Sequence, residues 1–225
     1  LLLLLFYFFY FCITTQMFQT GIAERADPFG HVSSSVIDSA AHRQLALDAA
    51  RQGMALLRNE GGLLPLRAGT KVAVVGPHFN SSTYLLGNYY GDNRLVASQT
   101  PLLGLQRRTD VDVVGYAEGC AFADNSTAGF AAAAVAAAHA DVIVMFLGLH
   151  SSQGAQVNNT PAMEREGHDR TFLSLPGMQN QLAQAMHATG KPVVAVLINS
   201  GGLAAEWVYA NIPAVCLWSS FLCDF

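Results

Sequence analysis

The sequence has few charged residues and no excess of positive charge. Asp, Glu, Lys and Arg make up only 12% of its 225 residues, and 16 acidic residues outnumber 12 basic ones. Proteins that bind nucleic acid usually carry a basic patch or stripe, and none is visible here. Nucleic acid is therefore disfavoured as a partner, while the 52% of apolar residues predict a folded domain with a full core.

Several motifs that identify enzyme classes are also missing. The sequence contains neither glycine-rich phosphate-binding motif, G-x-G-x-x-G or G-x-x-x-x-G-K-[S/T], and no G-x-S-x-G nucleophile motif. The two glycines of "INSGGL" (residues 198–203) could present backbone amides to an anion, but a tight strand-to-helix turn explains them as well. A nucleotide-binding domain is thus disfavoured. No C-x-x-C or cysteine–histidine spacing is present either, so neither a metal nor an organic cofactor is implied.

The first 13 residues, "LLLLLFYFFYFCI", are all apolar and form a segment of low complexity. At about 1.5 Å per residue, a helix of this length is shorter than the roughly 30 Å core of a bilayer, so a membrane span is disfavoured. Two interpretations stay open. The run is either the remnant of a signal peptide, although no positive region precedes it, or untranslated mRNA sequence that has been read as protein. Three N-x-S/T sequons would fit a secreted or lysosome-like compartment without deciding it: Asn80, Asn125 and Asn158.

After a loop-like linker at residues 14–38, predicted helices alternate with predicted strands over residues 39–225. A helix capped by Asp38 or Ser39 is predicted to cover "AAHRQLALDAARQGMALLRN". Near-continuous apolar runs are typical of strands in a parallel sheet that is buried on both faces. We therefore predict an α/β sandwich, a mostly parallel sheet flanked by helices and incomplete at its C-terminal end. The five predicted strands are "KVAVVG", "DVDVVGYAEG", "DVIVMFLGL", "KPVVAVLINSGG" and "IPAVCLWSS".

Charge is concentrated in "MEREGHDR" (residues 163–170), within a polar loop at residues 150–170 that we call the charged loop. Ligands bind beyond the carboxyl ends of the strands in such sheets, and this loop follows a strand. A general acid must be a carboxyl group held protonated near neutral pH, and neighbouring carboxylates and arginines tune its pKa in opposite directions. Glu164 and Glu166 are candidates for this role. The alternative is a solvated loop whose charges pair with one another.

A set of longer motifs resembles the C-terminal α/β sandwich domain of glycoside hydrolase family 3. The resemblance covers roughly residues 15–219, and "LLGNYYG" and "EREGHDRTFLSLPG" are most similar to the β-xylosidase-like branch. The motifs, in chain order, are "AARQGMALLRNEGGLLPL", "KVAVVGP", "LLGNYYG", "VVGYAEGC", "EREGHDRTFLSLPGMQNQL" and "GKPVVAVLINSGGLAAEW".

The resemblance implies a retaining exo-β-glycosidase that acts on a β-linked oligosaccharide or glycoside. Its acid/base residue would be Glu166, with Glu164 as the runner-up. The family's aspartate nucleophile lies on a preceding barrel domain, which this sequence does not contain. The resemblance also implies candidate substrate contacts at Tyr89, Tyr90, His168, Asp169 and Arg170. For the two tyrosines, packing in the core or on the surface is an equal alternative.

Two interpretations of different classes follow. In the first, the sequence is part of a working β-xylosidase-like hydrolase and supplies its acid/base loop. In the second, it is an inactive truncated or decayed product that at most binds carbohydrate weakly. The start at Leu1, the apolar run and the abrupt end at "FLCDF" favour the second, and the intact charged loop favours the first. Without the barrel, we expect the chain alone to be inactive.

Overall fold

The computed structural model describes residues 2–19, 31–86, 99–151, 167, 169–199 and 201–219. The chain divides into two compact units, residues 1–49 and 50–225. The first unit contains helix α1 (Leu2–Gln19) and most of helix α2 (Ala40–Gly53). Among the helices that the structure describes, none has both the length and the apolar character needed to cross a membrane.

Helix α1 continues further than the sequence suggested. Residues 14–19 were predicted to be loop-like, but they are helical, and the Thr14 hydroxyl donates to the carbonyl of Phe11 at 3.1 Å. This bond to the preceding turn lets a residue of weak helix propensity stay in the helix. Helix α2 begins as predicted, because the Ser39 hydroxyl accepts a hydrogen bond from the backbone of His42 at 3.3 Å.

The second unit is built on one six-stranded sheet. Five strands are parallel, and the first strand joins the edge in antiparallel orientation, next to the last. The strands are β1 (Ala55–Asn59), β2 (Thr70–Val75), β3 (Val111–Ala117), β4 (Val142–Gly148), β5 (Val193–Asn199) and β6 (Ala214–Ser219). Their order across the sheet is β1-β6-β5-β4-β2-β3. The predicted α/β fold with a mostly parallel sheet is confirmed.

Both faces of the central strands are buried, which explains their unbroken apolar sequences. Alternate residues of β4 enter two different clusters: Ile143 and Met145 pack on one face, and Val142 and Val144 on the other. Four further helices flank the sheet: α3 (Pro101–Gln106), α4 (Phe130–Ala137), α5 (Gln179–His187) and α6 (Glu206–Asn211). The first cluster includes buried residues of α4, α5 and α6, and the second includes Leu102 of α3.

The predicted helix over residues 40–59 is wrong in its last third. Helix α2 ends at Gly53, and the residues after it form β1, which pairs antiparallel with β6 from Ala55↔Leu217 to Asn59↔Ala214. The Arg58 side chain, half-buried, donates to the carbonyl of Tyr209 and pairs with Glu60. The partner strand lies about 160 residues away in sequence, so local periodicity carried no sign of this pairing.

Candidate functional site

The sheet has one point where the chain reverses its direction of winding. From β2 the chain passes to β3 on one side, and then crosses back to β4 on the other side of β2 and continues to β5 and β6. The switch point therefore lies between β2 and β4. In open α/β sheets a crevice for ligands forms at this place, beyond the carboxyl ends of the strands.

The segments that leave β2, β4 and β5 all emerge at this carboxyl edge, as predicted. His78 follows β2 by three residues, and His150 follows β4 by two. The charged loop begins at His150, so it leaves the sheet directly at the switch point. After β5 the turn is closed by the side-chain amide of Asn199, which donates to the carbonyl of Gly201.

A cluster of four aromatic rings lies under this edge, formed by His78, Tyr84, Phe122 and His150; we call it the histidine cluster. The Phe122 ring packs edge-on against His78 and Tyr84, with centroids 4.5 Å apart in both cases. His150 stacks on Tyr84 at 4.5 Å. Both histidines are buried, with 0% and 2% of their surface exposed. The cluster thus joins the segment after β2 to the start of the charged loop.

Burial keeps both imidazoles of the histidine cluster neutral. Desolvation lowers the pKa of His78 to about 3, and the neighbouring His150 contributes to the same effect. Burial also lowers the pKa of His150 to about 4. A proton donor or acceptor for catalysis works best with a pKa near the operating pH, so these two rings suit packing better than proton transfer.

The far end of the charged loop is attached to the segment that follows β5. The Arg170 guanidinium donates to the carbonyl of Gly202 and lies 5.9 Å above the Phe172 ring. The Ala204 amide donates to the carbonyl of Leu173 at 2.8 Å, and Ser174 forms a parallel bridge with Ala204. Asp169 is exposed at this edge. Asp169 and Arg170 are thus the predicted site residues of the charged loop that the structure describes, and they lie next to the segment that follows β5.

The remaining predicted site residues fall outside the part of the chain that the structure describes. They are Tyr89, Tyr90, Glu164, Glu166 and His168. Within the described residues, no three His, Cys, Asp or Glu side chains are grouped as a metal site requires.

Comparison with known proteins identifies the second unit. The model of the glycosyl hydrolase family 3 C-terminal domain matches residues 54–222. The chain belongs to glycosyl hydrolase family 3. It is 40% identical over 187 residues to a protein of Arabidopsis thaliana named "Probable beta-D-xylosidase 7", an alignment that covers 82% of this chain and 23% of the relative. It is 36% identical over 184 residues to a β-xylosidase of Formosa agariphila, covering 77% of this chain and 24% of that one.

Solved structures of the family share the fold. A family 3 exo-β-xylosidase in complex with a xylobiose aziridine probe superposes with a TM-score of 0.75 at 28% identity, covering 91% of this chain and 25% of that one. A β-glucosidase of Listeria innocua in complex with isofagomine gives a TM-score of 0.66 at 26% identity, covering 85% and 25%. The chain thus spans about a quarter of the length of these proteins.

Sequence reasoning missed two features of the carboxyl edge. Among the histidines it singled out only His168, although His78 and His150 occupy similar positions after two central strands. That shared position was the available signal. Gln179 was not singled out either, because nothing in the local pattern distinguishes this glutamine from Gln181 or Gln184.

Proposed function

We propose that this chain supplies the acid/base glutamate of a retaining exo-β-glycosidase that prefers β-xylosides. One observation carries the proposal: in a member of glycosyl hydrolase family 3, the charged loop leaves the sheet at the switch point and rejoins it at the same carboxyl edge. The preference for xylose rests on similarity to relatives that are named as β-xylosidases.

Glu166 is the proposed acid/base, and Glu164 is the runner-up. In the first step the protonated Glu166 donates its proton to the glycosidic oxygen, while a carboxylate from the barrel attacks the anomeric carbon and the bond to the leaving group breaks. In the second step the Glu166 carboxylate takes a proton from water, which attacks the same carbon and releases the sugar. The two carboxyl groups must then lie about 5–5.5 Å apart.

The other predicted contacts have different support. Asp169 is exposed at the carboxyl edge and is available to a substrate hydroxyl. Arg170 contacts Gly202 and Phe172, so we propose that it orients the charged loop as well as binding substrate. Tyr89, Tyr90 and His168 remain predicted substrate contacts on the strength of the family motif. Family chemistry of this kind needs carboxylates and water and no cofactor.

The test is a chimera in which residues 54–222 replace the matching segment of the Arabidopsis relative. We expect it to hydrolyse an aryl β-xyloside faster than the corresponding β-glucoside. Glu166→Gln should lower kcat by about 10²- to 10⁴-fold, the contribution typical of general acid–base catalysis. Glu164→Gln is the matched control and should stay within a few-fold of the parent.

The outcomes separate the alternatives. Loss of activity in Glu164→Gln alone would move the acid/base role to the runner-up. Normal turnover by both variants would overturn the assignment of the charged loop. A folded chimera without activity on any β-glycoside would support the interpretation that the domain is inactive and at most binds carbohydrate weakly.

A further inference from the structure

Gln179 is a fully buried polar side chain at the first position of α5. None of its surface is exposed, which is unusual because glutamine is mostly a surface residue. Its side-chain oxygen accepts a hydrogen bond from the Gly148 amide at 2.7 Å. Its nitrogen donates to the Gly148 carbonyl at 2.9 Å and to the Phe122 carbonyl at 3.1 Å. The oxygen and the nitrogen of the amide are thus both engaged with backbone groups.

These bonds connect the segment that precedes the charged loop to the helix that follows it. Gly148 is the last residue of β4, two residues before the loop begins, and Gln179 lies nine residues after the loop ends at Arg170. The Gln179 amide binds both polar groups of Gly148, as a paired strand would. The third bond, to Phe122, adds the histidine cluster to the same assembly.

Packing alone does not require a glutamine here. An apolar side chain of similar volume would fill the same space, but it would leave the buried N–H of Gly148 and the carbonyls of Gly148 and Phe122 without this partner. Each buried polar group that loses its partner carries a desolvation penalty. The residues that lose their partners are those from which the charged loop starts, so their displacement would also displace the loop. A displacement of about 1 Å at a catalytic group can slow a reaction 10²-fold.

We propose that Gln179 is a positioning residue: its side-chain amide fixes the end of β4, from which the charged loop leaves, to the start of α5, which follows the loop, and thereby helps to position the acid/base glutamate. This inference rests on the proposed function, since it concerns the same loop. Gln179 has none of its surface exposed, so its proposed role does not involve contact with substrate or with the reacting atoms.

The experiment compares leaving groups in the chimera. A dinitrophenyl xyloside needs no proton on departure, whereas an unsubstituted phenyl xyloside does, so only the second depends on a well-placed acid. Gln179→Met keeps the volume and removes all three hydrogen bonds. We expect kcat/KM, which reports the step that forms the glycosyl–enzyme, to fall about ten-fold more for the phenyl than for the dinitrophenyl substrate. Gln184→Met, an exposed position on the same helix, is the control and should leave kcat/KM for both substrates unchanged.

A second variant and a second readout keep the test decisive. Gln179→Asn retains the amide on a shorter side chain and should give a smaller effect in the same direction, so it replaces Gln179→Met if that protein does not fold. Hydrogen exchange of the Gly148 amide should accelerate in both variants and not in Gln184→Met.

Equal losses on the two substrates would mean a purely structural role and would overturn the inference. Its failure is distinguishable from failure of the proposed function through Glu166→Gln. If Glu166→Gln discriminates between the leaving groups and the Gln179 variants do not, the inference is wrong and the proposed function stands. If Glu166→Gln does not discriminate either, both are wrong.

Discussion

Gly148→Ala is expected to prevent the second unit from folding. Gly148 has a backbone φ of +135°, which residues with a side chain rarely adopt. A Cβ at this position would lie 1.8 Å from the carbonyl oxygen of Ile198 on the adjacent strand. The obstructing atom is backbone in the middle of the sheet, so neither side can move away without breaking the β4–β5 pairing.

The loss in the free energy of unfolding should exceed the roughly 0.5–3 kcal/mol of an ordinary substitution. It should approach the total stability of a domain, which is about 5–15 kcal/mol. Circular dichroism of the purified chain should show loss of the cooperative thermal transition. Gly104→Ala is the matched control, because Gly104 lies in α3 with nothing within 4 Å of the added Cβ. It should be neutral or raise stability by about 0.5–1 kcal/mol. A Gly148→Ala protein that melts within a few degrees of the parent would contradict the description of this strand end.

Acid is expected to destabilise the fold through the histidine cluster. An unfolded histidine binds a proton near pH 6.5, whereas His78 and His150 in the folded protein have pKa values of about 3 and about 4. Between these limits the unfolded state binds more protons, so stability falls as the pH drops. Each of the two histidines should contribute about 1.4 kcal/mol per pH unit to this slope. The free energy of unfolding should therefore fall by several kcal/mol between pH 6.5 and pH 4.

The measurement is urea unfolding at a series of pH values. Burial, together with Asp124, raises the pKa of Glu118. The folded state therefore holds a proton on Glu118 more readily than the unfolded state does, and this partly offsets the loss of stability that the histidines cause at low pH. The variants His78→Phe and His150→Phe isolate the effect, because each keeps a ring in the cluster but cannot take up a proton. Each should flatten the acid limb, whereas His139→Gln at an exposed position should not. Identical slopes in all four proteins would rule out the histidine cluster as the cause.

The sequence was sufficient to predict the parallel strands of the sheet and the edge from which the charged loop leaves. Strands such as β4 are buried on both faces, and an unbroken apolar run between polar turns reports that burial directly. Alternation with helices then predicts parallel pairing, which places the charged loop at the carboxyl edge. This reasoning works because it depends on local patterns and on a general rule of topology.

The features that escaped prediction depend on contacts between distant residues. β1 is a strand only because β6 pairs with it, and "ALLRN" taken alone suits a helix equally well. Gln179 acquires its role from Gly148, 31 residues earlier, and from Phe122, 57 residues earlier. The presence of His78 and His150 in one cluster likewise requires that β2 and β4 be neighbours, which depends on strand order rather than on sequence spacing.

The central claim is that Glu166 is the acid/base of a retaining glycosidase, and azide tests it most directly. The chimera carrying Glu166→Ala is given a dinitrophenyl β-xyloside, which forms the glycosyl–enzyme without acid assistance, and azide then attacks in place of activated water. The account predicts that azide restores turnover and that the product is the β-xylosyl azide, because the barrel carboxylate still forms the intermediate. An α-xylosyl azide would instead identify Glu166 as the nucleophile. If azide does not change the rate of turnover, Glu166 takes no part in the reaction and the account is wrong.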